Sequence, residues 1–310
     1  MPGTAIQRER LPSWFRRKLP VGGEIKAFEQ TAARVHSNRL ATVCEEAKCP
    51  NRNNCWSRGT ATFMIAGQSC TRNCRFCSVQ HNRRPPPPDP EEPLRLASAV
   101  AQMNLDFAVI TVVNRDDLSD DGAIHYRTCI DVLHSRLPTL GIELLCSDLN
   151  GNEPALETLL DNAPLQVFAH NIETVERLTP NVRDRKASFM TSLRILEQAK
   201  ILRPDLLTKS SLMVGLGETA DDVEQTLKAL RNAGVDLLTI GQYLAPTLEH
   251  YPVLSFVNPD QFAQWEQMAL DLGFRAAACG PLVRSSFQAG DLYRQAVRTP
   301  RSSELKNTSV

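Results

Sequence analysis

The sequence predicts an α/β protein built on a parallel sheet, and three observations carry that prediction. Short β-branched runs alternate with patterns whose apolar residues recur at three and four, the signature of βαβ units. A chain of 310 residues, 42% hydrophobic and 23% charged, can bury a full core in one large domain or two smaller ones. Polar residues also collect just after the strand candidates, on the edge where parallel α/β proteins build their sites.

Taken in order, strands are predicted over residues 60–66, 107–113, 141–146, 165–170, 207–214 and 237–241. Helices are predicted over 93–103, 124–137, 189–202, 221–233 and 259–272, and Thr219 with Asp222 has the capping-box spacing, Asp standing for the usual Glu. Six strands joined by right-handed crossovers make either an open doubly wound sheet or an incomplete barrel, and periodicity does not choose between them. Residues 1–59 carry little strand pattern and read as an N-terminal extension, 60–280 as the core and 281–310 as a C-terminal extension. Pro85 to Pro88, with Pro90 and Pro93, form a stiff connector, read as a polyproline spacer rather than a docking motif.

Lys and Arg total 35 and so do Asp and Glu, so net charge draws the chain toward neither nucleic acid nor an anionic membrane. The N-terminus is basic but has no apolar core of signal-peptide length, and no run approaches a spanning helix. A cytosolic protein is therefore expected, with an organellar leader as the alternative. In a reducing compartment clustered cysteines are metal ligands or catalysts sooner than disulfides, and an odd total of nine argues the same way.

Six of those nine form two triplets, Cys44, Cys49, Cys55 and Cys70, Cys74, Cys77, spaced C-x4-C-x5-C and C-x3-C-x2-C. Each supplies one ligand fewer than a closed zinc or iron–sulfur site requires. The second triplet spans eight residues, so one loop can wrap three corners of a 4Fe-4S cube and leave the fourth iron open to a small chelating molecule. A structural zinc loop is the alternative, although zinc knuckles usually come as paired C-x2-C and only Cys74 with Cys77 has that spacing. Asn114, Arg115, Asp116 and Asp117 follow the second strand, Asn171 and Glu173 the fourth, Gly215, Gly217 and Glu218 the fifth, and Gln242 the sixth. Gly215-Leu216-Gly217-Glu218-Thr219-Ala220 also fits a dinucleotide fingerprint, but the next strand ends on Gln242 where an acidic residue would have to hold the ribose.

Cys70, Cys74, Phe76 and Cys77 match the C-x3-C-x-aromatic-C loop of the radical S-adenosylmethionine enzymes. Together with the first triplet, Arg284-Ser285-Ser286, Val109 to Asp117, Met213 to Glu218 and Gly241 to Leu244, they resemble the lipoyl synthase family from about Pro12 to Ala289. That resemblance implies a partial (β/α)6 parallel barrel and two 4Fe-4S clusters. Cys70, Cys74 and Cys77 would hold the one that cleaves S-adenosylmethionine to a 5′-deoxyadenosyl radical. Cys44, Cys49, Cys55 and Ser286 would hold an auxiliary one whose sulfides are inserted at C6 and C8 of an octanoyl-lysine. A serine oxygen is a harder, poorer partner than thiolate for a sulfide-bridged iron, so one corner is weakly held. Phe76, Thr111, Asn114, Asn171, Glu173, Gly215, Gly217 and Glu218 are the implied cofactor contacts.

The implied partners are octanoylated lipoyl carrier domains (2-oxoacid dehydrogenase E2, glycine cleavage H protein), a flavodoxin or ferredoxin reductant and an iron–sulfur carrier that rebuilds the auxiliary cluster; no nucleic acid and no membrane. The rivals are another auxiliary-cluster radical enzyme, biotin synthase-like or methylthiolating, and a non-catalytic iron–sulfur scaffold. The chain departs from the family pattern at Phe287, usually tyrosine, at Asp120-Asp121-Gly122 and at Ser211, and keeps every implied cluster ligand. Cys129, Cys146 and Cys279 read as core residues, His170 as a satisfied strand-end group, and Trp14-Phe15-Arg16-Arg17-Lys18 as a solvated basic arm.

Overall fold

A computed structural model describes residues 10–16 and 19–299. Helix α1 (Gly23–Ser37), strand β1 (Ala41–Thr42) and the short helices α2 (Val43–Glu46) and α3 (Arg52–Ser57) come first. Strand β2 (Thr62–Ile65) opens the main sheet and leads into a loop holding the small pair β3 (Ser69–Cys70) and β4 (Gln80–His81). There follow α4 (Glu92–Met103), β5 (Phe107–Val112), α5 (Ala123–Arg136), β6 (Gly141–Leu145), α6 (Glu153–Leu160), β7 (Val167–Ala169), α7 (Thr179–Val182), α8 (Phe189–Leu202) and β8 (Leu207–Val214). The chain ends through α9 (Ala220–Asn232), β9 (Leu237–Gln242), α10 (Pro259–Asp271), β10 (Ala276–Gly280) and α11 (Ala289–Arg298).

The main sheet runs β1-β2-β5-β6-β7-β8-β9-β10, antiparallel only between β1 and β2. All six expected strands are present, with β8 matching at both ends. A seventh parallel strand, β10, is added beyond them. Its sequence, Ala-Ala-Ala-Cys-Gly, has no β-branched residue, so pairing with β9 makes it a strand where propensity does not. Thr219 and Asp222 do form the expected capping box at the start of α9.

Curvature decides between open sheet and barrel. Helix α11 touches β5, near one end of the sheet order, and β9 and β10 at the other. Its Leu292 and Ala296 pack among Val167, Leu207, Leu237 and Ala276, and Tyr293 stacks on Phe107 with ring centroids 5.3 Å apart. One helix can reach both sides only if the sheet curls around it. Because β1 and β10 do not pair, the curl is a barrel that stays open.

The concave side also explains the polar centre of β8. Lys209 donates to both carboxylate oxygens of Glu143 at 2.7 and 3.0 Å, reaching across β7 to β6, and each side chain is only 1% exposed. Among the described residues no helix is long and apolar enough to cross a membrane.

Candidate cluster sites and the cavity between them

The second triplet sits on a loop fixed at nearly every step. Ala66, in the left-handed region at φ 67°, donates its N–H to Glu92 Oε2 at 2.7 Å and accepts from Arg115 Nη1 at 3.1 Å. Glu92 is also bonded to His125 Nε2 at 2.6 Å, so α4 and α5 together pin the loop's entrance. Cys70 O accepts from Asn82 N at 2.9 Å, Asn114 O takes both the N–H and the hydroxyl of Thr71, and Arg75 N donates to Val182 O at 2.9 Å. Arg72, the residue between Thr71 and Asn73, turns inward. Its guanidinium donates to Asp116, Asp148 and Asn150 at 2.6 to 3.2 Å.

N–H groups point at the sulfurs themselves. Cys70 Sγ accepts from Arg72 N at 3.4 Å and Asn114 Nδ2 at 3.8 Å, and Cys74 Sγ from Asp184 N at 3.3 Å. Burial pushes the Cys74 thiol up to about 11 and Cys77 up to about 12, so metal-free thiols keep their protons and binding a cation has to displace them.

The first triplet is carried by α2, the turn after it and α3. Cys49 N donates to Cys44 O at 3.1 Å and Cys55 N to Asn51 O at 2.9 Å, folding the segment back on itself. Burial raises the Cys44 thiol, and the neighbouring Thr62 backbone and Trp56 indole act in the opposite direction. Thr62 Oγ1 in turn donates to Ser286 Oγ at 2.9 Å. Thus Ser286, from the far end of the chain, stands one residue away from a triplet cysteine. Asn51 Nδ2 ties the same two segments together by donating to Leu282 O at 2.7 Å.

The seat of Ser286 depends on a glycine. A Cβ on Gly241, at the end of β9, would lie 2.1 Å from Val283 O and 3.0 Å from its carbonyl carbon. The serine segment can lie across β9 only because no side chain is there. Gly241→Ala is expected to displace residues 283–286 and to lower iron content at the first site while sparing the second. Spectroscopy of the reconstituted variant, resolving the two sites, checks this.

All six cysteines and Ser286 line one cavity of about 740 Å³. Phe76, Thr111, Asn114, Asn171 and Glu173 line it too, whereas Gly215, Gly217 and Glu218 do not. Glu218 instead accepts the N–H groups of Gly215 at 2.6 Å and Leu216 at 2.9 Å, stapling the glycine turn behind the wall. Gly215 is packed so closely that a Cβ would lie 2.0 Å from Gln242 Nε2. Glu173 adopts φ 66°, a conformation costly for a side-chain-bearing residue, and accepts from Asn171 Nδ2 at 3.1 Å. Burial raises its carboxyl, with Arg183 acting in the opposite direction.

Arg183 is the cavity residue that sequence reasoning missed. It is buried, its Nη1 donates to Ser192 Oγ at 2.8 Å, and its Nε has no partner among the described residues. Ser192 is also bonded to His170 Nε2, whose Nδ1 faces Cys146 O at 2.9 Å. A carbonyl only accepts, so Nδ1 carries the ring proton, and burial pushes His170 down to about 4, keeping it neutral. His170 is the satisfied strand-end group expected, serving to orient Arg183. No signal short of the fold could have picked Arg183 from the other arginines, since it follows a short helix rather than a strand.

The donor sets fit clusters better than single ions. Among the described residues the one trio of ligand atoms mutually within 4.8 Å is Glu92, His125 and Cys129, already satisfied as the pin of the loop entrance. Neither cysteine triplet gathers its sulfurs that tightly, and a tetrahedral zinc ion with bonds of about 2.3 Å would need them roughly 3.8 Å apart. Cys129 and Cys146 are buried as expected, with burial raising both thiols, and Cys279 is half-buried. Trp14, Phe15 and Arg16 of the basic arm are described, with Phe15 edge-on to Phe256, while Arg17 and Lys18 lie outside the described residues.

Comparison with known proteins agrees with this arrangement. Residues 64–241 match the Radical SAM superfamily model, and residues 3–49 match the N-terminal domain of lipoyl synthase of that family. "Lipoyl synthase, mitochondrial" of Drosophila sechellia is 46% identical over 98% of this chain and 81% of its own length. The protein of the same name from Aspergillus flavus is 47% identical over 96% of this chain and 72% of its own. The fold is shared with methylornithine synthase, at a TM-score of 0.54 and 12% identity over 92% of this chain and 91% of that one.

These names overturn the cytosolic expectation, because relatives matched over nearly the whole chain are called mitochondrial. Lack of an apolar signal core says nothing about an Arg-rich organellar leader, which is why that reasoning pointed the wrong way. With half the chain matched by the superfamily model and nearly all of it by these relatives, the chain belongs to the lipoyl synthase family of radical SAM enzymes.

Proposed function

We propose that the chain inserts two sulfur atoms, at C6 and C8, into an octanoyl group carried on a lysine of a small carrier domain, the sulfur coming from an auxiliary 4Fe-4S cluster held by Cys44, Cys49, Cys55 and Ser286. The observation that carries this reading is that both cysteine triplets and Ser286 face one cavity. When bound at Cys70, Cys74 and Cys77, a cluster open at its fourth iron and S-adenosylmethionine supply one-electron reductive cleavage and hence hydrogen abstraction.

The remaining work falls to side chains. Arg183, whose Nε has no partner among the described residues, is placed to receive a carboxylate, and the Asn171 carbonyl oxygen and the Glu173 carboxylate offer acceptors for hydroxyls or an amine. Asn114 and Thr111 hold the polar wall beside Cys70, and Phe76 packs against the core under the loop. Gly215 and Gly217, stapled by Glu218, shape the backbone behind it. Met64, Val109, Leu145 and Met213 line the cavity between the two triplets and would take an alkyl chain while excluding water. Octanoylated E2 and H-protein domains are the substrates this implies, with a flavodoxin or ferredoxin as electron source and an iron–sulfur carrier to rebuild the auxiliary cluster. Of the extensions 1–59 and 281–310, the segments carrying Cys44 to Cys55 and Leu282 to Ser286 close one cluster site over the core of 60–280.

Anaerobic analysis should return about eight irons and as much labile sulfide per chain, as two cubes require. Reconstituted protein given dithionite, S-adenosylmethionine and an octanoylated carrier peptide should add two sulfurs to the peptide by mass. Zinc without labile sulfide, or a peptide that gains no sulfur, would sink the reading.

A further inference from the structure

A second groove, of about 590 Å³, is walled by the cluster loop on one side and by residues 183–186 on the other. Arg75, Arg83, Arg185 and Lys186 line it and are exposed, and Arg84 is exposed beside Arg83. Among the described residues Arg83, Arg84 and Arg185 have no acidic partner. The acids nearby are already committed. Asp116 is held by Arg72 and Asp117 by Arg115, and the carboxylate of Asp184 accepts the N–H groups of Asn73 and Lys186 at 2.9 Å each. The whole chain has no net charge, so this is a local concentration of positive charge.

The groove also lies against the cluster ligands. Cys74 Sγ accepts the N–H of Asp184, a groove residue, and His81, in register with Cys70, lines the groove with an unpartnered Nδ1. One of the three thiols, Cys74, therefore reaches this surface through a single residue, while the substrate cavity shares only Arg183 with the groove. A cluster at Cys70, Cys74 and Cys77 has to be reduced by one electron from outside the protein. The substrate's carrier domain, by contrast, has to reach the cavity between the triplets.

We propose that this cationic rim is the docking surface for an acidic one-electron carrier protein. The carrier's reduced flavin or iron–sulfur group gives up one electron and the cluster at Cys70, Cys74 and Cys77 takes it; no bond is made or broken in that step. This rests on the function proposed above. Exposed cations without local partners steer an acidic protein at long range, and that attraction is screened over a Debye length of about 8 Å at physiological salt.

The test pairs binding with reduction, using flavodoxin and a plant-type ferredoxin as probes. Titration of either into the protein, with and without clusters, should give a Kd that rises steeply with salt. The double variant Arg83→Glu/Arg185→Glu should weaken binding and slow cluster bleaching by the reduced probe at least about ten-fold at low salt. Dithionite-driven sulfur insertion by the variant should match the wild type. A probe that reduces wild type and variant at equal rates, or a variant that loses affinity for the octanoylated carrier domain instead, would overturn the docking assignment. Failure of dithionite to support cleavage in the wild type would sink the functional reading beneath it.

Discussion

Ser286→Cys is expected to load iron at the first triplet as well as the wild type, or better, and yet to transfer almost no sulfur. Thiolate is a softer and stronger partner for a sulfide-bridged iron than a serine oxygen, so the substitution secures the corner that has to let go. Ser286 Oγ already stands within reach of Thr62 and, through it, of Cys44, so the exchange of oxygen for sulfur requires little movement of the segment. A drop of about a hundred-fold or more in product, equivalent to ~2.7 kcal/mol in the barrier, is the scale expected. Iron and sulfide counts and the mass of the carrier peptide, taken on the same preparation, separate loading from transfer. Full activity with a stable cluster would show that the weak corner is irrelevant to sulfur release.

Arg72→Ala should be the most destabilising single change in the cluster loop. Burial alone would raise the carboxyls of Asp116 and Asp148, but hydrogen bonds and charge from Arg72 hold both below the ordinary range. Removing the cation leaves Asp148, 0% exposed, with no cation bonded to it and Asp116, 3% exposed, with only the half-exposed Lys186, at a cost of about 3–5 kcal/mol. The sign of the pH dependence follows. In the wild type the depressed pKa values contribute stability above the carboxylate range, lost as pH falls through the lowered folded values. In the variant the two carboxyls shift upward, so its deficit against wild type should shrink as pH drops. Urea unfolding of the two proteins at neutral pH and near pH 4 measures this; a deficit that stays constant would count against it. Arg72→Lys should recover only part, since an ammonium cannot fork between two carboxylates.

Most of the architecture could be read from period and composition because the parallel strands are buried on both faces and run as apolar or β-branched stretches. Strand β10 escaped because alanines become a strand only when β9 is already beside them. The curl of the sheet was equally hidden, being set by α11 filling its concave side. Cysteine spacing made the two triplets legible, since ligands close in sequence need no fold to be seen together. The partner residues were not: Arg72 acquires meaning only when Asp148, 76 residues on, is brought to it, and Arg183 only when the turn from α7 into α8 carries Ser192 back against it. Glu218, read from its motif as a cofactor contact, turns its carboxylate back on its own turn instead.

Thr62 and Ser286 are 224 residues apart in sequence and touch. The loop of Cys70 to Cys77 can take shape as soon as its neighbouring strands exist, but the ligand set proposed for the first triplet is finished only when residues 282–286 have crossed over β9. A chain synthesised only as far as β9 therefore lacks a complete place for the cluster proposed to donate sulfur. Delivery of that cluster has to follow closure of this segment over β9, and a chain cut before Leu282 would keep the loop of Cys70 to Cys77 without the proposed serine ligand.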